Sequence, residues 1–131
     1  MILIDVGNTN IVFAVSDNKK IKDIKRIDTN KEIKSFNKIV SKIIKNYLNL
    51  NYLKNSKAAI ISSVVPNINS QIIKILKLYN IKVYVLKPKD MLPYLKIDYD
   101  INEIGADRIA NSVAVINYKI KNSIVIDFGT A

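Results

Sequence analysis

Leu3-Ile4-Asp5-Val6-Gly7-Asn8-Thr9 is an apolar run that ends in an aspartate, a spacer, a glycine and then a hydroxyl. The phrase returns near the other end of the chain as Val125-Ile126-Asp127-Phe128-Gly129-Thr130. An aspartate at a strand end, followed by a glycine turn and a hydroxyl, meets the needs of a phosphate-bearing ligand with a metal ion. The carboxylate holds hydrated Mg²⁺ or another cation, the glycine lets backbone N–H groups approach a phosphate, and the hydroxyl donates to it. Taken alone, Asp5-Val6-Gly7-Asn8 also reads as a plain hairpin turn, since tight turns demand Gly and Asn. The recurrence favours two loops that grip a polyphosphate from two sides.

The flanking residues decide which kind of phosphate loop this is. Residues 2–5 and 11–15 are short apolar strands, so the Gly7-Asn8-Thr9 turn joins strand to strand. Walker and dinucleotide-binding loops instead join a strand to a helix, and neither G-x-x-x-x-G-K-[ST] nor G-x-G-x-x-G occurs. Asp127-Phe128-Gly129 matches a protein-kinase triplet, but no H-R-D loop or Gly-rich loop precedes it.

Working outward, a third strand is expected at about 20–27, where Ile21, Ile24 and Ile27 alternate imperfectly with Lys and Asp. Thr29 and Glu32 have the spacing of a capping box and predict a helix start. Ile33, Phe36, Ile39, Val40, Ile43, Ile44 and Tyr47 then fall on one helical face, with Lys34, Lys38, Lys42 and Lys45 on the solvated side. Ala58-Ala59-Ile60-Ile61 reads as a buried strand. Pro66 opens a second helix over roughly 67–79, and Val83–Leu86 is a further strand. Residues 87–103 are loop-like, a third helix is expected from about 105 to 118, and Ile124-Val125-Ile126 closes the chain as a strand. The order βββαβαβ, a hairpin meander followed by parallel crossovers, implies an α/β fold with a mixed sheet flanked by helices.

Composition narrows the chemistry. At 131 residues, 49% hydrophobic and 24% charged, the chain is about one globular domain. It contains no cysteine and no histidine, which removes thiolates, imidazole bases and the usual zinc sites. Any catalysis falls to carboxylates, hydroxyls, Lys, Arg and backbone. The net charge of +10 comes almost wholly from lysine, scattered among isoleucine and asparagine; Arg26 and Arg108 are the only arginines. Nucleic-acid readout favours arginine and interleaved aromatics, so no nucleic-acid partner is expected. The N-terminus is too short for a signal peptide before Asp5, and no apolar run approaches the ~18 residues of a membrane span. The expected location is cytoplasmic.

Four phrases stand in order: Asp5-Val6-Gly7-Asn8-Thr9-Asn10, Ser62-Ser63-Val64-Val65-Pro66, Gly105-Ala106-Asp107-Arg108-Ile109-Ala110-Asn111 and Asp127-Phe128-Gly129-Thr130-Ala131. Together they closely resemble the N-terminal half of the type III pantothenate kinases, which make phosphopantothenate in coenzyme A synthesis. The first and last phrases are shared by the wider superfamily of acetate kinase, sugar kinases, Hsp70 and actin, with its ribonuclease-H-like domains. The G-A-D-R phrase is far more specific. Without its companions it reads as a helix start, with Asp107 favoured by the helix dipole and Arg108 on the surface.

The resemblance implies a role for each matching position. Asp5, Val6, Gly7, Asn8, Thr9, Asn10, Ile11 and Val12 resemble the first phosphate loop for ATP, with Asp5 reaching Mg²⁺ through water. Gly105, Ala106, Asp107 and Arg108 resemble the pantothenate-contacting segment, with Asp107 as general base for the primary hydroxyl. Arg108 beside it suits the substrate carboxylate, and Tyr99 resembles a further pantothenate contact. Asp127 matches the holder of a monovalent cation, K⁺ or NH₄⁺, and Thr130 an ATP contact in the second phosphate loop. A homodimer is implied as well.

Three features depart from the family pattern. Lys87-Pro88-Lys89 stands where Gly-Pro-Gly is usual, Tyr99 is one residue too close to Asp107, and Ala131 falls inside the second phosphate motif. The resemblance therefore implies a ribonuclease-H-like domain over 1–103. Residues 104–131 would form a linking helix and the first strand of an incomplete second domain, leaving an inactive half. Two other readings stay open: a non-catalytic regulatory or binding protein of the same fold, and another small-molecule kinase of the superfamily.

Overall fold

A computed structural model describes residues 1–17, 20–30, 32–50, 53, 57–118 and 122–127. Strands β1 (Ile2–Val6), β2 (Asn10–Asp17) and β3 (Lys20–Asp28) lead into helix α1 (Ile33–Asn49). Strand β4 (Ala58–Ser63), helix α2 (Pro66–Leu78) and strand β5 (Lys82–Val85) follow, and helix α3 (Ala106–Asn117) comes after a long connection. The five strands form one mixed sheet in the order β3-β2-β1-β4-β5. The meander β1-β2-β3 is antiparallel, and β4 and β5 extend the sheet in parallel from β1.

Period-2 alternation in β1 fixes which face each residue serves. Ile2, Ile4 and Val6 are buried, while Leu3 and Asp5 point the other way. A one-residue slip would bring the three apolar side chains out of the core, at about 1.5–3 kcal/mol each. That penalty is what commits Asp5 to the opposite face. On the core side, Ile11, Phe13 and Val15 of β2 and Ala59 and Ile61 of β4 join one cluster with α1 (Phe36, Val40, Ile44, Tyr47) and α2 (Ile72, Ile75, Leu76). α2 ends in a Schellman cap: Asn80 takes φ 55°, its N–H reaches the Lys77 carbonyl, and Ile81 N–H reaches Leu76. This turn drops Ile81 into the core.

The imperfect alternation of the third strand has a structural cause. Phe13 pairs with Lys25 and Val15 with Lys22, so Asp23 and Ile24 together oppose the single residue Ala14. The bulge sits at Asp23, whose φ is 48°. It brings Ile21 and Ile24, three apart in sequence, onto the same sheet face as Val12 and Ala14. Tyr47 of α1 braces it: the phenol Oη lies 2.6 Å from the Asp23 carbonyl and 3.0 Å from the Phe13 carbonyl, and donates to them. Burial, then the nearby Asp23 carboxylate, pushes the phenol well above its ordinary range.

Two expectations need correction. α1 has no capping box: Glu32 is the N-cap without a side-chain cap bond, and the Thr29 hydroxyl is engaged elsewhere. Ile124-Val125-Ile126 forms no strand; residues 122–127 have no regular structure, and Ile124 and Ile126 are 89% and 70% exposed. An apolar β-type composition does not make a strand without a neighbour to pair with, and none of the ladders among the described residues reaches this segment. Phe128, Gly129, Thr130 and Ala131 lie outside the described residues.

Candidate active site

The sheet face opposite the core is partly roofed by α3, and a groove of about 630 Å³ runs between them. Asp5 enters it from the end of β1, Val12 from β2 and Ser62 from β4; Asp107, Asn111 and Ala114 enter from α3, and Asp127 from the segment beyond. Two aspartates widely separated in sequence, Asp5 and Asp127, thus meet Asp107 in one hollow. Asp107 and Asn111 are one helical turn apart, which places them on the same side of α3. The Asn111 amide donates to Asp127 Oδ2 at 3.1 Å.

Charge accumulates here. Asp5 is held above the ordinary carboxylate range, first by burial, then by repulsion from Asp107 and from Asp127. Ser62, its neighbour in the β1–β4 register, partly offsets this, although the buried Ser62 Oγ has no hydrogen bond of good geometry among the described residues. Hard oxygen donors with an unmatched hydroxyl are the chemistry of Mg²⁺ or an alkali cation. Among the described residues, however, no three acidic side chains stand close enough to enclose a metal by themselves. Cation binding here fits a site completed by water and by ligand oxygens.

Asp107 is positioned by its own helix start. Its Oδ1 accepts from the Arg108 backbone N–H at 2.8 Å, within the first turn of α3. The carboxylate folds over Gly105, where a Cβ would collide with Asp107 Oδ1. Glycine is needed at 105 for this close approach, not for an unusual φ.

At the hairpin turn the backbone does the work. Val6 and Ile11 are buried and turn their side chains to the core, so only their main chain faces the loop. Val12 lines the groove, and Asn8 and Thr9 are exposed at the tip. Gly7 N–H donates to the Asn10 carbonyl at 3.0 Å, and a Cβ on Gly7 would lie 3.2 Å from that oxygen. Here too the glycine serves close approach.

The G-A-D-R phrase does not act as one surface. Arg108 is one residue beyond Asp107, about 100° further round the helix. It lines a separate cavity of about 480 Å³ with Tyr99, Lys96 and Ser112. Gly105 and Ala106 border a third hollow of about 500 Å³, edged by Lys87 and Lys89. Sequence reasoning missed Asn111, Lys96, Ser112 and Ser62. Asn111 and Ser112 had a legible signal, the i,i+4 spacing from Asp107 and from Arg108; Ser62 is brought in by the β1–β4 register and Lys96 by the path of the 87–103 connection.

The whole chain, residues 1–131, matches the family model described as type III pantothenate kinase. It is 37% identical to a type III pantothenate kinase of Geobacillus kaustophilus over 132 aligned residues, covering 98% of this chain and 50% of that protein. It is 35% identical to a type III pantothenate kinase of Thermosipho africanus, covering 100% of this chain and 51% of that one. The chain spans about half the length of the curated relatives it matches.

Proposed function

The chain belongs to the type III pantothenate kinase family, and from that premise we propose that it carries the phosphate-loop and general-base half of an ATP-dependent pantothenate kinase. The observation that carries this reading is the convergence of Asp5, Asp107 and Asp127 on one groove beside the Gly7-Asn8-Thr9 turn. In this reading the polyphosphate of ATP lies along residues Asp5 to Val12. Asp107 accepts the proton of the primary hydroxyl of pantothenate as that oxygen bonds to the γ-phosphorus. The bond from the γ-phosphorus to the β,γ-bridging oxygen breaks, and ADP leaves. Phosphoryl transfer asks mainly for alignment and charge neutralisation, and one carboxylate suffices for the proton.

Arg108 and Lys96 supply cationic donors for the substrate carboxylate from the neighbouring cavity, with Tyr99 beside them. Asp127, held by Asn111, would hold K⁺ or NH₄⁺, and Asp5 would hold the nucleotide's Mg²⁺ through water. These cations would neutralise charge on the phosphates. Thr130 is assigned to the second phosphate loop by resemblance alone. The meander followed by parallel crossovers supports a ribonuclease-H-like domain over 1–103, with 104–131 leading into a second domain. A cytoplasmic homodimer completes the proposal; no helix among the described residues is long and apolar enough to cross a membrane.

A coupled ADP-release assay with ATP, Mg²⁺, K⁺ and pantothenate tests it, run on the protein at the full length of its relatives. Pantothenate-dependent turnover is expected. Nucleotide binding without turnover would favour the non-catalytic binding protein, and turnover with a sugar or acetate alone would favour another superfamily kinase.

A further inference from the structure

Thr29 is the buried polar residue of the described core, at 5% exposure, and it bonds to the hairpin turn twice. Its Oγ1 donates to the Gly7 carbonyl at 2.8 Å, and its backbone N–H donates to the Thr9 carbonyl at 2.9 Å. A trans peptide points its N–H opposite to its C=O. Drawing the Gly7 carbonyl inward to Thr29 therefore turns the Asn8 N–H outward, toward the exposed tip. Drawing in the Thr9 carbonyl fixes the Thr9–Asn10 peptide in the same way. Neither Asn8 nor Thr9 has the positive φ by which two-residue hairpin turns close on themselves. Within the turn, Gly7 N–H bonds the Asn10 carbonyl, and Thr29 braces the turn from outside it.

Resting on the reading that this turn receives the phosphates of ATP, we propose that Thr29 is a positioning residue for the phosphate loop. It holds two carbonyl oxygens away from the anion and leaves the Asn8 N–H facing it. At 5% exposure its own hydroxyl is not a ligand contact. Without the Thr29 hydroxyl the Gly7–Asn8 peptide can rotate and present its carbonyl dipole to the phosphate, which weakens nucleotide binding without touching the acceptor substrate.

The test compares the intact protein with Thr29→Val, which keeps the shape and removes the hydroxyl, and Thr29→Ser, which keeps the hydroxyl. The readouts are titration with a fluorescent ATP analogue and steady-state kinetics in both substrates. Thr29→Val is expected to raise the nucleotide Kd and the KM for ATP about tenfold, the worth of one good hydrogen bond. The KM for pantothenate stays within twofold, and Thr29→Ser binds nucleotide within twofold of wild type. A folded Thr29→Val protein that binds nucleotide like wild type overturns the proposal, as does a parallel rise in both KM values. If Thr29→Val does not fold, Thr29→Ala carries the same comparison with the same outcomes. A wild-type protein that binds nucleotide but does not phosphorylate pantothenate overturns the kinase reading alone, and the titration still decides on Thr29. A wild-type protein that binds no nucleotide overturns both.

Discussion

The Asn111 side-chain amide donates to Asp127 Oδ2 at 3.1 Å and so ties helix α3 to the segment that follows it. One turn before Asn111, Asp107 faces the same groove. The base and the cation-binding carboxylate of the proposed site are thereby set by a single helix face. If Asp127 holds K⁺ or NH₄⁺, Asn111→Ala should raise the K⁺ concentration for half-maximal activity about tenfold, while the KM for pantothenate changes little. Salt titration in K⁺, NH₄⁺ and Na⁺ checks this. Equal activity in all three salts for wild type would instead remove the cation from Asp127.

Asp5 gives a pH-dependent prediction with a definite sign. Its carboxyl is held above the ordinary value near 3.8 in the folded protein, so the folded state retains its proton to higher pH than the unfolded chain. Stability is then lost as the pH rises through the window from that value to the raised one, and it stays lower at neutral pH. Asp5→Asn should raise the urea midpoint at pH 7, with the gain shrinking as the pH falls through that window toward 3.8. Nucleotide binding should weaken in the same variant. A stability gain that grows toward acid would contradict the assignment.

Tyr47→Phe removes the hydroxyl that braces the bulge at Asp23. Leaving buried carbonyls without this donor should cost about 1–3 kcal/mol, read as a lower denaturation midpoint with unchanged m-value. An unchanged midpoint would show that water replaces the phenol.

Gly105→Ala should act on catalysis more than on stability. The added methyl occupies the space of Asp107 Oδ1 and displaces the carboxylate from the start of α3. A drop in kcat of at least about tenfold, with a loss of stability under about 1 kcal/mol, is expected from a misplaced base. Kinetics and urea unfolding on the same preparation separate the two effects.

The short apolar strands on either side of Gly7-Asn8-Thr9 were legible as a hairpin; the face that Asp5 takes follows from the burial of Ile2, Ile4 and Val6. The bulge at Asp23 was not legible, because Ile21 and Ile24 share a face only after one extra residue is inserted opposite Ala14. Thr29 and Glu32 have the right spacing for a cap, yet spacing along a helix cannot reveal a hairpin some twenty residues earlier that binds the same hydroxyl. Ile124–Ile126 has the composition of a strand, and composition cannot supply its partner. At the site, the motif singles out Asp107, which lines the groove with Asp5 and Asp127. That Arg108 would line a different cavity follows from helix geometry, which a contiguous phrase conceals.

In the proposed reaction Asp107 is the base that takes the hydroxyl proton of pantothenate. The most direct test of this role is kcat for Asp107→Asn in the protein at the full length of its relatives, at saturating ATP and pantothenate. The substitution keeps the size and the bond from the Arg108 N–H while removing the basic oxygen. A fall of about 10²–10⁴ in kcat is expected, with nucleotide affinity within a few-fold of wild type. A folded Asp107→Asn protein that turns over at the wild-type rate would contradict it.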